Sequence, residues 1–276
     1  MAEKDPSDRP LITIVTPSLN AGDTILQTLS SVYQVSNALR ANNFNLEHLI
    51  IDGGSTDQTI NIARSYQSLH SLLIDVYLSK KGIYPAMNRG LFLAKGYYTH
   101  VLNADDFILN PEAYARTIMC AYATSSQVLL GSIHYFQRKS NIWRHIWRIT
   151  ALPDSEHTWR LQLDRGHHYP HPGMIVNTEI YRRIGFDTRY ELAADYKMMQ
   201  LLFRSKDCPK EKIYACADPL VAMATGGTTG TMLSVLRGMR QVKLINQELG
   251  IHSPIVFRYL RKVLMRLPSL IFWSNK

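Results

Sequence analysis

The sequence has no long hydrophobic run. Nowhere does it reach the roughly 18 uninterrupted apolar residues that a membrane-spanning helix needs. The opening "MAEKDPSDRP" is polar and lacks the apolar core of a signal peptide, so a cytoplasmic protein is expected. Cysteine is scarce: Cys120, Cys208 and Cys216 are odd in number and form no CxxC pair. That argues against a disulfide framework and against a cysteine zinc site, and predicts buried thiols. Internal repeats and low-complexity linkers are missing too. Acidic residues are absent after Glu248, while Arg258, Arg261, Lys262, Arg266 and Lys276 follow it. What is present suits a large folded core: 276 residues, 46% of them hydrophobic and 19% charged. The net charge of +9 calls for an anionic partner, for which nucleic acid, an anionic membrane and a phosphorylated substrate all qualify.

The first half alternates strand and helix signals. "LITIVT" predicts a strand, followed by a turn at "PSLNAGD" and a helix with Ile25, Leu29, Val32 and Leu39 at helical spacing. "EHLIID" predicts a second strand ending at Asp52, and Thr59 to Tyr66 a short helix capped by Asp57 or Thr56. "LLIDVYL" is a third strand, "YPAMNRGLFLAKG" a helix stopped at Gly96, and "YYTHVL" a fourth strand. Such alternation means parallel strands with crossover helices, an α/β class whose ligands sit beyond the carboxyl ends of the strands. The second half predicts strands near Val128 to Gln137, Trp143 to Arg148 and Ile213 to Ala217, and helices at Thr178 to Gly185, Ala194 to Ser205 and Met232 to Leu249. Tyr135, Phe136, Trp143, Trp147 and Trp159 fit a half-buried core better than a sugar-binding surface.

Three predicted strands end in polar groups: Thr16, Ser18 and Asn20, then Asp52, Ser55 and Asp57, then Asn103, Asp105 and Asp106. In a parallel sheet these converge on one rim, although turns and helix caps use the same residue types. Paired carboxylates there suit Mg²⁺ or Mn²⁺, which bind through one or two carboxylates plus substrate phosphates.

"TIVTPSLNAGDTILQTLSSV", "LIIDGGSTDQT", "KGIYPAMNRGLFLAKGYYTHVLNADD" and "ELAADY", in that order, closely resemble the family-2 glycosyltransferases, which have the GT-A fold. The likeness is greatest to the bacterial branch that builds surface polysaccharides, and it covers about Pro10 to Thr229. The resemblance implies a Rossmann-like, mostly parallel sheet flanked by helices. It implies an inverting enzyme that moves a sugar from a nucleotide-sugar donor, UDP-linked, to a saccharide or lipid-linked acceptor. It places Thr16, Ser18, Asn20 and Asp52 at the base and ribose, and Lys81, Asn88 and Arg89 over the nucleotide. The aspartate-x-aspartate motif falls on Asn103, Ala104 and Asp105, so Asp105 would bind the metal with Asp106 supporting it. Asp195 would be the general base, the alternative for it being an N-cap or a first-turn acid favoured by the helix dipole. Two departures stand out: Asn103 replaces the first aspartate, and Pro85 stands where an acid is common.

Some features fit less directly. His167, His168 and His171 invite a zinc reading, but Pro170 and Pro172 break any helix that could pair them. The resemblance puts His171 near the acceptor or diphosphate, and a plain loop role is the alternative. Gly226, Gly227 and Thr228 could cradle a phosphate before a helix. Residues 1–250 are expected to form the transferase domain, with 10–110 as donor half and 111–250 as acceptor half. Residues 251–276 form a basic amphipathic tail suited either to an anionic membrane surface or to packing on the domain. The rival functions are a sugar nucleotidyltransferase and a non-catalytic basic module binding nucleic acid or membrane. The first lacks the basic phosphate loop after the first strand, and the second leaves the converging acids unexplained.

Overall fold

The computed structural model describes residues 9–70, 74–149, 152–225 and 232–252. Its first half is built from β1 (Ile12–Ser18), α1 (Ile25–Arg40), β2 (Leu46–Asp52), α2 (Thr59–His70), β3 (Ile74–Leu78), α3 (Ile83–Leu93) and β4 (Tyr98–Val101). Every residue of β1, β2 and β4 is buried, because helices cover both faces of the sheet. The strands run parallel in the order β3-β2-β1-β4, as the alternation of the sequence requires. Helices α1, α2 and α4 (Pro111–Ala123) share one face, and α3, α6 (Thr178–Ile184) and α7 (Ala194–Arg204) the other.

Beyond β4 the sheet is mixed. β8 (Met174–Asn177) joins β4 antiparallel, and β6 (Val128–Gln137) joins β8 antiparallel. β9 (Ile213–Ala224) then runs parallel to β6, with β5 (Phe107–Ile108) antiparallel on its far side and β7 (Ile142–Trp147) as a hairpin on β6. β9 is longer than the sequence suggested. β8 and α5 (Glu156–Asp164) were not visible there, since β8 has four residues and α5 buries only Trp159 and Leu163, too few to establish a period. α8 (Met232–Glu248) closes the described chain and packs on α7.

Two expectations change. Only Cys208 is buried, whereas Cys120 lies exposed on α4 and Cys216 is partly covered. Trp159 and Phe136 are core residues, but Trp143 is 45% exposed on β7. The amphipathic tail from Ser253 onward and the Gly226, Gly227, Thr228 loop lie outside the described residues. No described helix is long and apolar enough to cross a membrane.

The end of the sheet away from the carboxyl rim is pinned by Glu47, which is 4% exposed. Its carboxylate accepts hydrogen bonds from Thr13 Oγ1 at 2.6 Å and from the Lys95 amide at 2.9 Å, while the Gly96 amide donates to Thr13 Oγ1 at 2.8 Å. This contact needs glycine: a Cβ at position 96 would lie 2.4 Å from the Thr13 amide nitrogen. Gly96→Ala should therefore push the α3–β4 turn off β1 and cost about 1–3 kcal/mol, the usual size of an overpacking penalty. Urea unfolding checks it, and an unchanged midpoint would contradict the packing described.

Candidate active site

β1, β2 and β4 end at one rim because their register is fixed, with Ser18 opposite Asp52 and Val15 opposite Val101. Asp52 is fully buried there. Its Oδ2 accepts from Ser18 Oγ at 2.8 Å and Ser55 Oγ at 2.7 Å, and its Oδ1 from the amides of Gly54 at 2.9 Å and Ser55 at 2.7 Å. A direct contact between Asp52 and a nucleotide requires one of these donors to be exchanged. As placed, the side chain shapes the 52–55 loop.

Thr16 is also fully buried, and its hydroxyl pairs with His48 Nε2 at 2.9 Å. Burial pushes His48 down to about 3, so the imidazole is neutral. A donor-binding role for the Thr16 side chain is corrected to a core role. Asn20 is exposed at φ 49° and accepts from the Thr56 amide at 2.9 Å, joining the loops after β1 and β2. Asp57 completes that join: it accepts from the amides of Gly22 at 2.9 Å and Thr59 at 3.0 Å.

The loop after β4 separates two carboxylates that are neighbours in sequence. Asp106 is 1% exposed, with Oδ1 accepting from the Ala224 amide at 2.8 Å and Oδ2 from Asn103 Nδ2 at 3.0 Å. It links the loop to β9, and its assignment as a metal ligand is corrected to that of a buried brace. Asp105 turns outward and is only partly buried. Burial raises its carboxyl above the ordinary range, and Arg138 opposes that rise. Arg138 donates from Nη2 to the Asp105 carbonyl at 2.8 Å and from Nη1 to Gln27 Oε1 at 2.8 Å, closing a cleft of about 500 Å³ between α1 and β5. Ala104 is 5% exposed, and its carbonyl accepts from Thr24 Oγ1 at 2.8 Å.

Sequence reasoning predicted α1 but missed its hydrogen bonds to this loop. Thr28 Oγ1 donates to the Asp106 carbonyl at 2.7 Å, and Ser31 Oγ accepts from the Ile108 amide at 3.2 Å. Thr24, Thr28 and Ser31 recur at helical spacing on the buried side of α1, a polar periodicity that was there to be found.

On the opposite face of the sheet, α3 begins at the same rim because β3 ends there, with the Ser79 amide donating to the Asp52 carbonyl at 2.8 Å. Tyr84 in its first turn donates to Asp195 Oδ1 at 3.1 Å, which brings Asp195 to the rim. Asp195 is the second residue of α7 and Ala193 is the N-cap, so Asp195 is a first-turn acid and not the cap. His171 is 7% exposed, pairs through Nε2 with Tyr181 Oη at 2.7 Å, and is held below its ordinary value by burial despite the nearby Asp195 charge. Its buried Nε2 is engaged by Tyr181 and not free for a ligand. Asn88 is likewise withdrawn from the donor set: it accepts from the Phe186 amide and donates to the Phe186 carbonyl, both at 2.8 Å. Lys81, just before α3, and Arg89, in its second turn, are exposed, Arg89 lying over the Tyr77 ring at 5.9 Å.

The Glycosyl transferase family 2 model matches residues 13–185, more than half of the chain. The chain belongs to that family. Its match to a PGL/p-HBAD biosynthesis glycosyltransferase of Mycobacterium tuberculosis is 34% identical and covers 39% of this chain and 40% of that protein. Its match to the chondroitin synthase of Escherichia coli is 30% identical and covers 43% of this chain and 18% of that one. The chain thus spans less than half the length of these relatives. Among solved structures, S. aureus TarS 1-349 in complex with UDP-GlcNAc superposes with a TM-score of 0.62 at 18% identity, covering 90% of this chain and 69% of TarS. The mannosyltransferase PcManGT from Pyrobaculum calidifontis, in complex with GDP-Man and Mn²⁺, gives 0.59 at 16%, covering 96% and 72%. The fold of this family-2 chain is therefore GT-A.

Among the described residues no three acidic, histidine or cysteine side chains cluster as a metal cage. The residues present still fit a hard cation that keeps water and phosphate ligands. Asn103 Oδ1 is buried without a partner beside the outward Asp105 carboxylate, so an amide oxygen and a carboxylate are left for such an ion.

Burial first, and the Asp105 charge second, raise the Asp106 carboxyl well above its ordinary value. The folded state then holds a proton that the unfolded chain releases. The contribution of Asp106 to stability is therefore full below the ordinary carboxylate range and declines as pH rises toward the raised folded value. Asp106→Asn should flatten the fall in stability between about pH 4 and 8 measured without divalent cation. A variant with the same pH slope as the wild type would contradict the buried placement.

Proposed function

We propose that this family-2 protein transfers a sugar, with inversion, from a nucleoside diphosphate sugar to a saccharide or lipid-linked acceptor in the building of a surface polysaccharide. The observation that carries the reading is the hydrogen bond from Tyr84 to Asp195. It brings a first-turn carboxylate of α7 to the rim where the ends of β1, β2 and β4 meet. The relatives' names support polysaccharide and glycolipid assembly, and the nucleotide sugars named with TarS and PcManGT support a UDP- or GDP-linked donor.

The roles follow from what the reaction demands. As the glycosidic bond to the diphosphate breaks, negative charge grows on the leaving group and oxocarbenium character on the anomeric carbon. The acceptor hydroxyl attacks from the opposite face and must lose its proton, which Asp195 takes as general base. Asp105 and Asn103 Oδ1 would hold a Mn²⁺ or Mg²⁺ ion, which supplies positive charge to the departing diphosphate. Lys81 and Arg89 offer cations above the nucleotide, and Asn20, Ser18 and the 52–55 loop form its floor. A cytoplasmic enzyme peripheral to the membrane agrees with the charge of +9 and with a lipid-linked acceptor. Family membership and the convergence of acids at the rim favour this reading over a nucleotidyltransferase or a basic binding module.

Asp195→Asn keeps the shape of the side chain but cannot take a proton. Transfer should fall about 10²–10⁴-fold, while donor binding and melting temperature stay near those of the wild type. Near-normal transfer by the folded variant would remove Asp195 from the role. Asp105→Ala should abolish the stimulation of UDP-sugar hydrolysis and the rise in melting temperature produced by Mn²⁺. Wild-type hydrolysis that persists undiminished in excess chelator would overturn the metal role.

A further inference from the structure

A carboxylate in the first turn of a helix has freedom that a general base cannot use. The terminal torsion of an aspartate is broad, so neither of its oxygens is aimed by the helix alone. In this protein the aim comes from another element. Tyr84 on α3, 7% exposed, donates its hydroxyl to Asp195 Oδ1 at 3.1 Å across 111 residues of sequence.

Both ends of that hydrogen bond are anchored. The Tyr84 ring stacks on Phe186 with centroids 5.5 Å apart and planes 25° apart. Phe186 cannot slide, because Asn88 engages both its amide and its carbonyl. The first turn of α3 is fixed on one side of Tyr84 by Gly82 at φ 120° and on the other by Pro85. A proline in the first helical turn removes no intrahelical bond and stiffens the backbone. On the side of Asp195, α7 is fastened two residues on: Lys197 Nζ, with 7% of its side chain exposed, reaches Asp187 Oδ2 at 2.7 Å and Glu248 Oε1 at 2.5 Å. The other titratable groups that feel Asp195 are His171, ahead of β8, and Tyr181 on α6, and these two are bonded to each other at 2.7 Å. Burial, and after it the Asp195 charge, raise the Tyr84 phenol well above its ordinary value, so it stays a donor at any working pH.

We propose that Tyr84 is a positioning residue for the transfer step, its hydroxyl holding one oxygen of Asp195 so that the other is presented to the acceptor hydroxyl. The proposal rests on the reading of Asp195 as general base. It also separates Tyr84 from donor binding, because the hydroxyl is engaged with Asp195 and the ring with Phe186.

Tyr84→Phe keeps the stacked ring and removes the hydroxyl. Turnover, read as nucleoside diphosphate release from UDP- or GDP-sugars with acceptor present, should fall about tenfold, equivalent to roughly 1.4 kcal/mol of barrier. The donor Kd should not change. In an Asp195→Asn background the same substitution should have no further effect on turnover. Full turnover in Tyr84→Phe, with transfer still collapsed in Asp195→Asn, would overturn the positioning role and leave the base intact. A lower melting temperature with unchanged kcat would also overturn it. Near-normal transfer by Asp195→Asn would overturn both readings. Should Tyr84→Phe fail to fold, Phe186→Leu loosens the ring and keeps the hydroxyl. Its kcat should then fall with the donor Kd constant, and an unchanged kcat would count against the proposal.

Discussion

The arrangement at the rim depends on a requirement imposed by burial: a carboxylate removed from water must find hydrogen-bond donors. Asp52 finds four and Asp106 finds two, all in the loops that follow the strands or on β9. The loops are therefore shaped around their acids. Asp106 draws Asn103 and Ala224 together, and the turn that satisfies it leaves Asp105 partly exposed and the Asn103 amide oxygen unpartnered. Losing the buried acid would release the loop that presents its neighbour.

A second group of contacts reaches the same rim from the other face of the sheet. α3 lies close on β1, where a Cβ at Gly90 would come within 2.2 Å of Val15 Cγ1. Its first turn is thereby set relative to the strands. From that turn Tyr84 holds Asp195, so two carboxylates from opposite faces of the sheet, Asp105 and Asp195, are referred to one backbone frame. Preorganisation of this kind allows positioned charges to act without reorganising during the reaction.

The parallel half of the fold could be read from the sequence because strands covered on both faces carry short apolar stretches rich in β-branched residues, "LITIV" and "LII", set between helical patterns. The ordered motifs carried the family. The division of labour between Asp105 and Asp106 was not legible, since nothing in "NADD" says which of two adjacent acids the turn buries. Nor could the partners of Thr16 and Asn88 be seen, because His48 and Phe186 are 32 and 98 residues away and meet them only through the packing of the sheet and α3. Asp195 stood in the sequence between base and a cap or first-turn acid. The structure places Ala193 at the cap and Asp195 in the first turn, a two-residue distinction finer than sequence patterns resolve.

The central claim is that this rim binds a nucleoside diphosphate sugar with a divalent cation. The most direct measurement is thermal unfolding of the wild-type protein against a panel of UDP- and GDP-sugars, each with and without Mn²⁺. One donor, well above its Kd, is expected to stabilise the fold by about 2–4 kcal/mol, and most of that gain should require the cation. Stabilisation by none of the donors in the presence of Mn²⁺ would contradict the account.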